Sequence, residues 1–148
     1  MNQTEIGKMY REAEIHGASS VDCTVMLYDI LIVDVRRAIE CLKENDIEGR
    51  TNALVHGLLV LEQLQLNLRM ESGGEVAKHL YRLYSMARAK ILEAQLKSHA
   101  KLLQEILGAM LRMREMWEEV RRQCLPQLIG GPRTGFSEEA AASSTWSA

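Results

Sequence analysis

The side chains able to do chemistry are few and far apart. The histidines are His16, His56, His79 and His99, and the residues three places before them are Ala13, Ala53, Val76 and Leu96. A di-iron site in a helical bundle needs Glu-x-x-His pairs on facing helices, and no such pair exists. Glu75 and His79 stand four apart and, with no second acidic or histidine pair, read as neighbours on a solvated helix face. Cys23, Cys41 and Cys124 form no CxxC pair, so they suggest neither a zinc site nor a disulfide framework. They read as buried or half-buried thiols in a reducing compartment. Cys23 and Cys41 have no basic cluster beside them to stabilise a thiolate. The zincin helix motif, the nucleophile elbow and the P-loop are all absent. Asp29 is the single acid in an apolar run, and an ion pair with an arginine across a gap between helices is its simplest role. The residues imply no enzyme, no metal and no cofactor.

Composition narrows the classes further. At 148 residues the chain is one domain, large enough to bury a core. A formal net charge of −2 and a pI near 6.1 give no reason to expect nucleic acid or an acidic membrane surface as partner. Positive and negative side chains alternate without blocks, as on solvated helix faces. The opening MNQTEIGKMYREAE lacks the apolar stretch of a signal peptide. No apolar run approaches the roughly 20 residues that span a bilayer. The expectation is a soluble cytosolic protein with no membrane insertion.

The elements that must position these residues are helical. Ser19-Ser20 opens a helix expected over 20–44, with Asp22 in its first turn and Asn45-Asp46 breaking it. Asp46 caps a second over 46–70, and Gly73-Gly74 marks a loop before a third over 74–96. Ser98 is the expected cap of a fourth over 98–124, which Pro126 stops. Seams at 3,4 spacing follow: Tyr28, Leu31, Val35, Ala38 and Leu42; Leu54, Leu58, Leu61, Leu64 and Leu68; Val76, Leu80, Leu83, Ala87, Ile91 and Ala94; and Leu103, Ile106, Met110, Met113, Trp117, Val120 and Cys124. The fold class is all-α: an antiparallel up-down four-helix bundle over 19–125. A short N-terminal cap segment over 1–18 precedes it, and a Gly/Ser/Ala-rich tail over 126–148, expected to be disordered, follows.

One stretch carries more apolar surface than a bundle needs. Eight of the nine residues from Val25 to Val33 are apolar. Met26, Ile30 and Val33 form a second stripe nearly opposite the Tyr28 seam, and Val55, Leu59, Leu66 and Met70 do the same on the next helix. At roughly 1.5–3 kcal/mol per fully buried side chain, these seven amount to about 10 kcal/mol of uncovered surface. Such surfaces mark interaction sites. The cover is the N-terminal segment, a second copy of the chain, or a segment of another protein.

Tyr10, Ile15, Gly17-Ala18-Ser19-Ser20 and Met26-Leu27-Tyr28-Asp29, followed by Leu68–Ala77, Leu80–Tyr84, Leu92-Glu93-Ala94 and Leu111–Trp117, form an ordered set of short motifs that resembles the FliS family of flagellar export chaperones. Tyr10, Ile15, Gly17-Ala18-Ser19-Ser20 and Met26-Leu27-Tyr28-Asp29 match the family's tyrosine, small apolar residue, TASP and MLYDG without a gap. Leu68–Ala77 is similar to LDMEKGGEIA, Leu80–Tyr84 to NLxxLYDYM, Leu92-Glu93-Ala94 to LxxAN, and Leu111–Trp117 to LRxAW. Ser20 replaces the proline of TASP, Ile30 the glycine of MLYDG and Arg69 the aspartate of LDMEKGG, while Met86 or Ala87 stands at a family aromatic. The resemblance implies a cytosolic chaperone that binds the flagellin C-terminal segment, prevents its premature polymerisation and hands it to the flagellar type III export gate in a transient contact. It also implies that the N-terminal segment, through Tyr10 and Ile15, covers part of the groove until flagellin displaces it. The groove expected from spacing is Met26, Ile30, Val33, Leu59, Leu66 and Met70, on a monomer or weak homodimer. The alternative is a self-assembling helical protein that buries the same stripe in a homodimer.

Overall fold

A computed structural model of the chain describes residues 5–6, 8, 20–71 and 73–123. Four helices run in sequence: α1 (Ser20–Lys43), α2 (Ile47–Leu66), α3 (Gly74–Lys97) and α4 (Ala100–Gln123). Each stops for a local reason. Asn45 takes φ of +58°, a left-handed conformation that Asn tolerates better than most residues, and ends α1. Asp46 then accepts the Gly49 amide at 2.9 Å and caps α2. Gly73 and Gly74 are both required between α2 and α3. Gly74 sits at φ +57°, and a Cβ on Gly73 would lie 2.6 Å from both the Ala77 Cβ and the Arg69 carbonyl oxygen.

Two helix ends differ from the sequence expectation. α2 stops at Leu66 rather than near Met70, because the Leu68 amide bonds to the Gln65 carbonyl at 3.2 Å, a tightened turn that leads the chain out. Leu68 is still buried, so it serves the core from outside the helix. Ser98 does not cap α4. It takes φ +50° as the residue that closes α3, and its hydroxyl accepts from Arg50 at 2.8 Å. The buried Arg50 also donates to Gln95 at 3.2 Å, so a guanidinium from the start of α2 stands at the negative end of the α3 dipole.

The short connections make successive helices antiparallel, and they close into a ring in which α1 and α3 each touch α2 and α4. α1 is the most enclosed. Between Val21 and Cys41 its exposed residues are Asp29, Val33, Arg36, Arg37 and Glu40. The core centres on Trp117, Tyr28 and Tyr84, each at most 1% exposed. The Tyr28 hydroxyl donates to the Tyr84 hydroxyl at 2.8 Å, and the rings stand 6.2 Å apart and tilted. Burial holds both phenols in the neutral form, pushing Tyr84 up to about 12 and Tyr28 well above its ordinary value. On Tyr28 the neighbouring Tyr84 oxygen adds to this, while the Trp117 indole opposes it on both rings.

The seam of α4 matches its expected positions: Leu103, Ile106, Met110 and Trp117 are buried, and Met113 and Val120 are half-buried. The α3 seam is corrected to Ala77, Leu80, Tyr84, Ala87, Ile91 and Ala94, with Val76 48% exposed. The 3,4,3,4,3 alternation from Ala77 keeps Tyr84 inward, where its hydroxyl meets Tyr28. Asp29 pairs with Arg114 of α4, as its isolation suggested. Cys23 and Cys41 are buried and neither is in a disulfide, and Ile6 of the N-terminal segment is fully buried in the core cluster. Tyr10, Ile15, Cys124 and the segment from 126 onward lie outside the described residues.

Candidate interaction surface

α1 and α2 pack closely because α2 carries a glycine at the contact. A Cβ on Gly57 would stand 3.4 Å from Leu31 Cδ1 and 3.8 Å from the Asp34 Cβ. Beside it the buried Asp34 carboxylate meets His56 Nδ1 at 2.5 Å. Burial raises the Asp34 pKa, and the His56 ring opposes that shift. Burial is the larger influence, so the pair fixes the helix register at an electrostatic cost.

That register aligns the surface rows. With Asp34 against His56 and Leu31 against Gly57, Ile30 comes opposite Leu59 and Met26 opposite Gln63, one helix rising as the other descends. Spacings of four and three hold Met26, Ile30 and Val33 in one row of α1. Spacings of four and seven hold Val55, Leu59 and Leu66 in one row of α2. Met26, Ile30 and Leu59 are half-buried, and Ile30 and Leu59 rest on the core. Val33 and Val55 are exposed by more than half, Leu66 is 66% exposed, and Met70 stands 40% exposed in the turn after α2. Ile30, where the resembling family has glycine, is thus part floor and part surface. Val55, Leu59, Asp34, Arg37, Asn52 and His56 line an open cleft on this side.

A second apolar feature escaped the sequence reading. α3 and α4 are the neighbours that touch least, and a groove of about 250 Å³ opens between them. Leu83, Met86, Ala109, Met110 and Met113 line it, with Lys90, Arg112 and Glu105 at the rim. The signal for it was present in the small residues Ala87 and Ala109 on facing helices, flanked by Met86 and Met113. Two alanines leave space that flexible thioethers fill only in part.

Among the described residues no cluster of His, Cys, Asp or Glu could hold a metal ion, and no helix is long and apolar enough to cross a membrane. What the geometry offers is two apolar surfaces on a helical bundle, suited to side chains of an amphipathic or extended segment.

Comparison with known proteins bears on family and fold. The family model described as "Flagellar protein FliS" matches residues 1–124. The flagellar secretion chaperone FliS of Salmonella typhimurium is 27% identical over 110 residues, covering 74% of this chain and 82% of that protein. Its namesake in Escherichia coli is 26% identical over 122 residues, 82% of this chain and 88% of that one. In Bacillus subtilis the protein of the same name is 20% identical over 110 residues, 74% and 81%. A crystal structure of a bacterial flagellar chaperone superposes with a TM-score of 0.68 at 16% identity, over 81% of this chain and 98% of that one, which is a likeness of fold. With the family model matched from the first residue to the end of α4, the chain belongs to the FliS family of flagellar proteins.

Proposed function

We propose that the protein is a cytosolic export chaperone for flagellin. It binds the flagellin C-terminal segment along the outer face of α1 and α2, prevents premature polymerisation, and passes the client to the flagellar export gate. The observation that carries this reading is the pair of parallel apolar rows, Met26-Ile30-Val33 and Val55-Leu59-Leu66, on helices whose opposite faces already fill the core. A bundle that needed only to fold would place polar residues there. The relatives are named flagellar secretion chaperones, and flagellin as the client is what the family resemblance implies.

Affinity comes from burying the two rows against the client's apolar face, less the cost of ordering a client segment that is disordered when free. The N-terminal segment covers part of this surface at rest, with Tyr10 and Ile15 as its contacts, and yields to the client. The complete burial of Ile6 supports docking of that segment on the bundle.

Calorimetry with a peptide of the flagellin C-terminal segment tests the reading. Binding at micromolar protein is expected, and Val33→Asp and Leu66→Asp should each weaken it about tenfold or more, near 1.4 kcal/mol. Both positions are more than half exposed, so helical content should not change. No heat on titration overturns the proposal. A concentration-independent dimer by light scattering, with no peptide affinity, assigns the rows to self-association instead.

A further inference from the structure

The two apolar rows on the outer face of α1 and α2 finish in polar residues at the same end. On α1 the spacings that join Met26, Ile30 and Val33 continue by four to Arg37. On α2 a step of three back from Val55 reaches Asn52 on the same face. The register that sets Ile30 against Leu59 brings Arg37 opposite Asn52, seven residues on along α1 and seven back along α2. Both are exposed, and both line the open cleft that also holds the buried Asp34. No hydrogen bond or salt bridge among the described residues engages either side chain. At the other end the row residues Met26 and Leu66 are uncharged. The surface therefore has a direction: apolar along its length, with unused donors at one end.

Length and charge together select what fits such a surface. Met26 to Arg37 spans about 16 Å of α1 and Leu66 to Asn52 about 21 Å of α2, roughly three to four helical turns. A helix of that length leaves the last carbonyls at its C-terminus unpaired, and its dipole gathers about half a negative charge there. Arg37 and Asn52 offer donors to those oxygens, and the guanidinium offers the complementary charge. A full carboxylate fits less well, because Asp34 already places a carboxyl group in the cleft and the Arg37 charge favours its ionised form. An extended segment spreads its carbonyls along its length and gathers little dipole at its end.

We propose that Arg37 and Asn52 cap the C-terminus of a helix that the client forms along the α1–α2 face. The cap fixes the direction of that helix, parallel to α1 and antiparallel to α2. Its apolar face lies on the two rows, and its last turn ends over the cleft. The inference rests on the flagellin reading above and adds to it the conformation, direction and register of the bound segment.

The test takes the full-length protein and a peptide of the flagellin C-terminal segment, read by calorimetry and by methyl NMR. Arg37→Met should weaken binding about fivefold and Asn52→Ala about threefold, as loss of a charge–dipole contact and of a hydrogen bond would. Arg37→Glu should weaken it about tenfold or more, since a like charge then meets the helix end. Both positions are exposed, so helical content should not change. A spin label at the C-terminal end of the bound helix should broaden the Val33 and Val55 methyls more than that of Met26. The opposite pattern overturns the proposal. A peptide with its acids changed to amides should stay sensitive to Arg37→Met; loss of that sensitivity overturns the helix-end contact in favour of a carboxylate. Binding that ignores both Arg37→Glu and Asn52→Ala overturns the cap and leaves the flagellin reading standing. No binding by the unaltered protein overturns both.

Discussion

The two sides of this bundle solve the same packing problem in opposite ways. On the α1–α2 side a glycine lets the helices close, and a buried Asp34–His56 pair sets their register. On the α3–α4 side the facing alanines are not matched by a closer approach, and a groove is left. The first arrangement buries nearly everything on α1 and pushes the surplus apolar residues outward into two straight rows. The second leaves apolar side chains lining a space. Surplus hydrophobicity therefore becomes a raised surface where packing is tight and a recess where it is loose.

Paired substitutions should sharpen this contrast. Leu31→Ala, fully buried against α2, should cost about 2–5 kcal/mol in urea unfolding. Met86→Ala, 54% exposed at the groove, should stay within about 0.5 kcal/mol. Equal costs would mean that the groove is as tightly packed as the seam.

Adding volume should separate the sides next. Gly57→Leu drives a side chain into Leu31 and Asp34 and should destabilise by about 1–3 kcal/mol. Ala109→Leu enters open space between α3 and α4, and its stability should change by no more than about 0.5 kcal/mol. If Gly57→Leu is tolerated, close approach is not what holds α1 to α2.

A further effect is expected from pH, at the core that both sides share. The Tyr28–Tyr84 pair is held neutral, with both folded pKa values raised above the unfolded value near 10. Above that pH the unfolded chain loses phenolic protons that the native state keeps, so its stability falls as pH rises. The contribution is fully present below pH 10 and is lost as pH climbs towards about 12, at roughly 1.4 kcal/mol per unit for each phenol. Chemical denaturation at pH 9, 10 and 11 should show a decline beginning above 10 that Tyr84→Phe halves. A flat profile would mean that the phenols ionise alike in both states.

Much of this was legible in the residues. Helical periodicity gave four helices and a bundle because burial follows 3.6-residue geometry whatever the partner. Asp29 was marked for an arginine by its isolation among apolar residues, and Arg114 is that partner. The Asp46 cap and the glycine turn followed from local hydrogen bonding and φ alone. In the α3 seam Val76 and Leu83 were expected where Ala77 and Tyr84 are the buried residues, Leu80, Ala87, Ile91 and Ala94 being as expected; either choice satisfies helical spacing, and only the meeting of Tyr84 with Tyr28 selects between them. Ser98 was read as opening α4, but Arg50, nearly fifty residues earlier, holds its hydroxyl at the end of α3.

By itself the sequence determined the helices, the apolar excess on α1 and α2 and, through motifs in order, the family. Those properties are local or additive along the chain. Only the tertiary structure decided that Asp34 faces His56, that Gly57 sets the α1–α2 distance, and that Ala87 and Ala109 leave a groove. Each depends on which residues of distant helices come opposite one another, and helical spacing fixes a residue's face without fixing its partner.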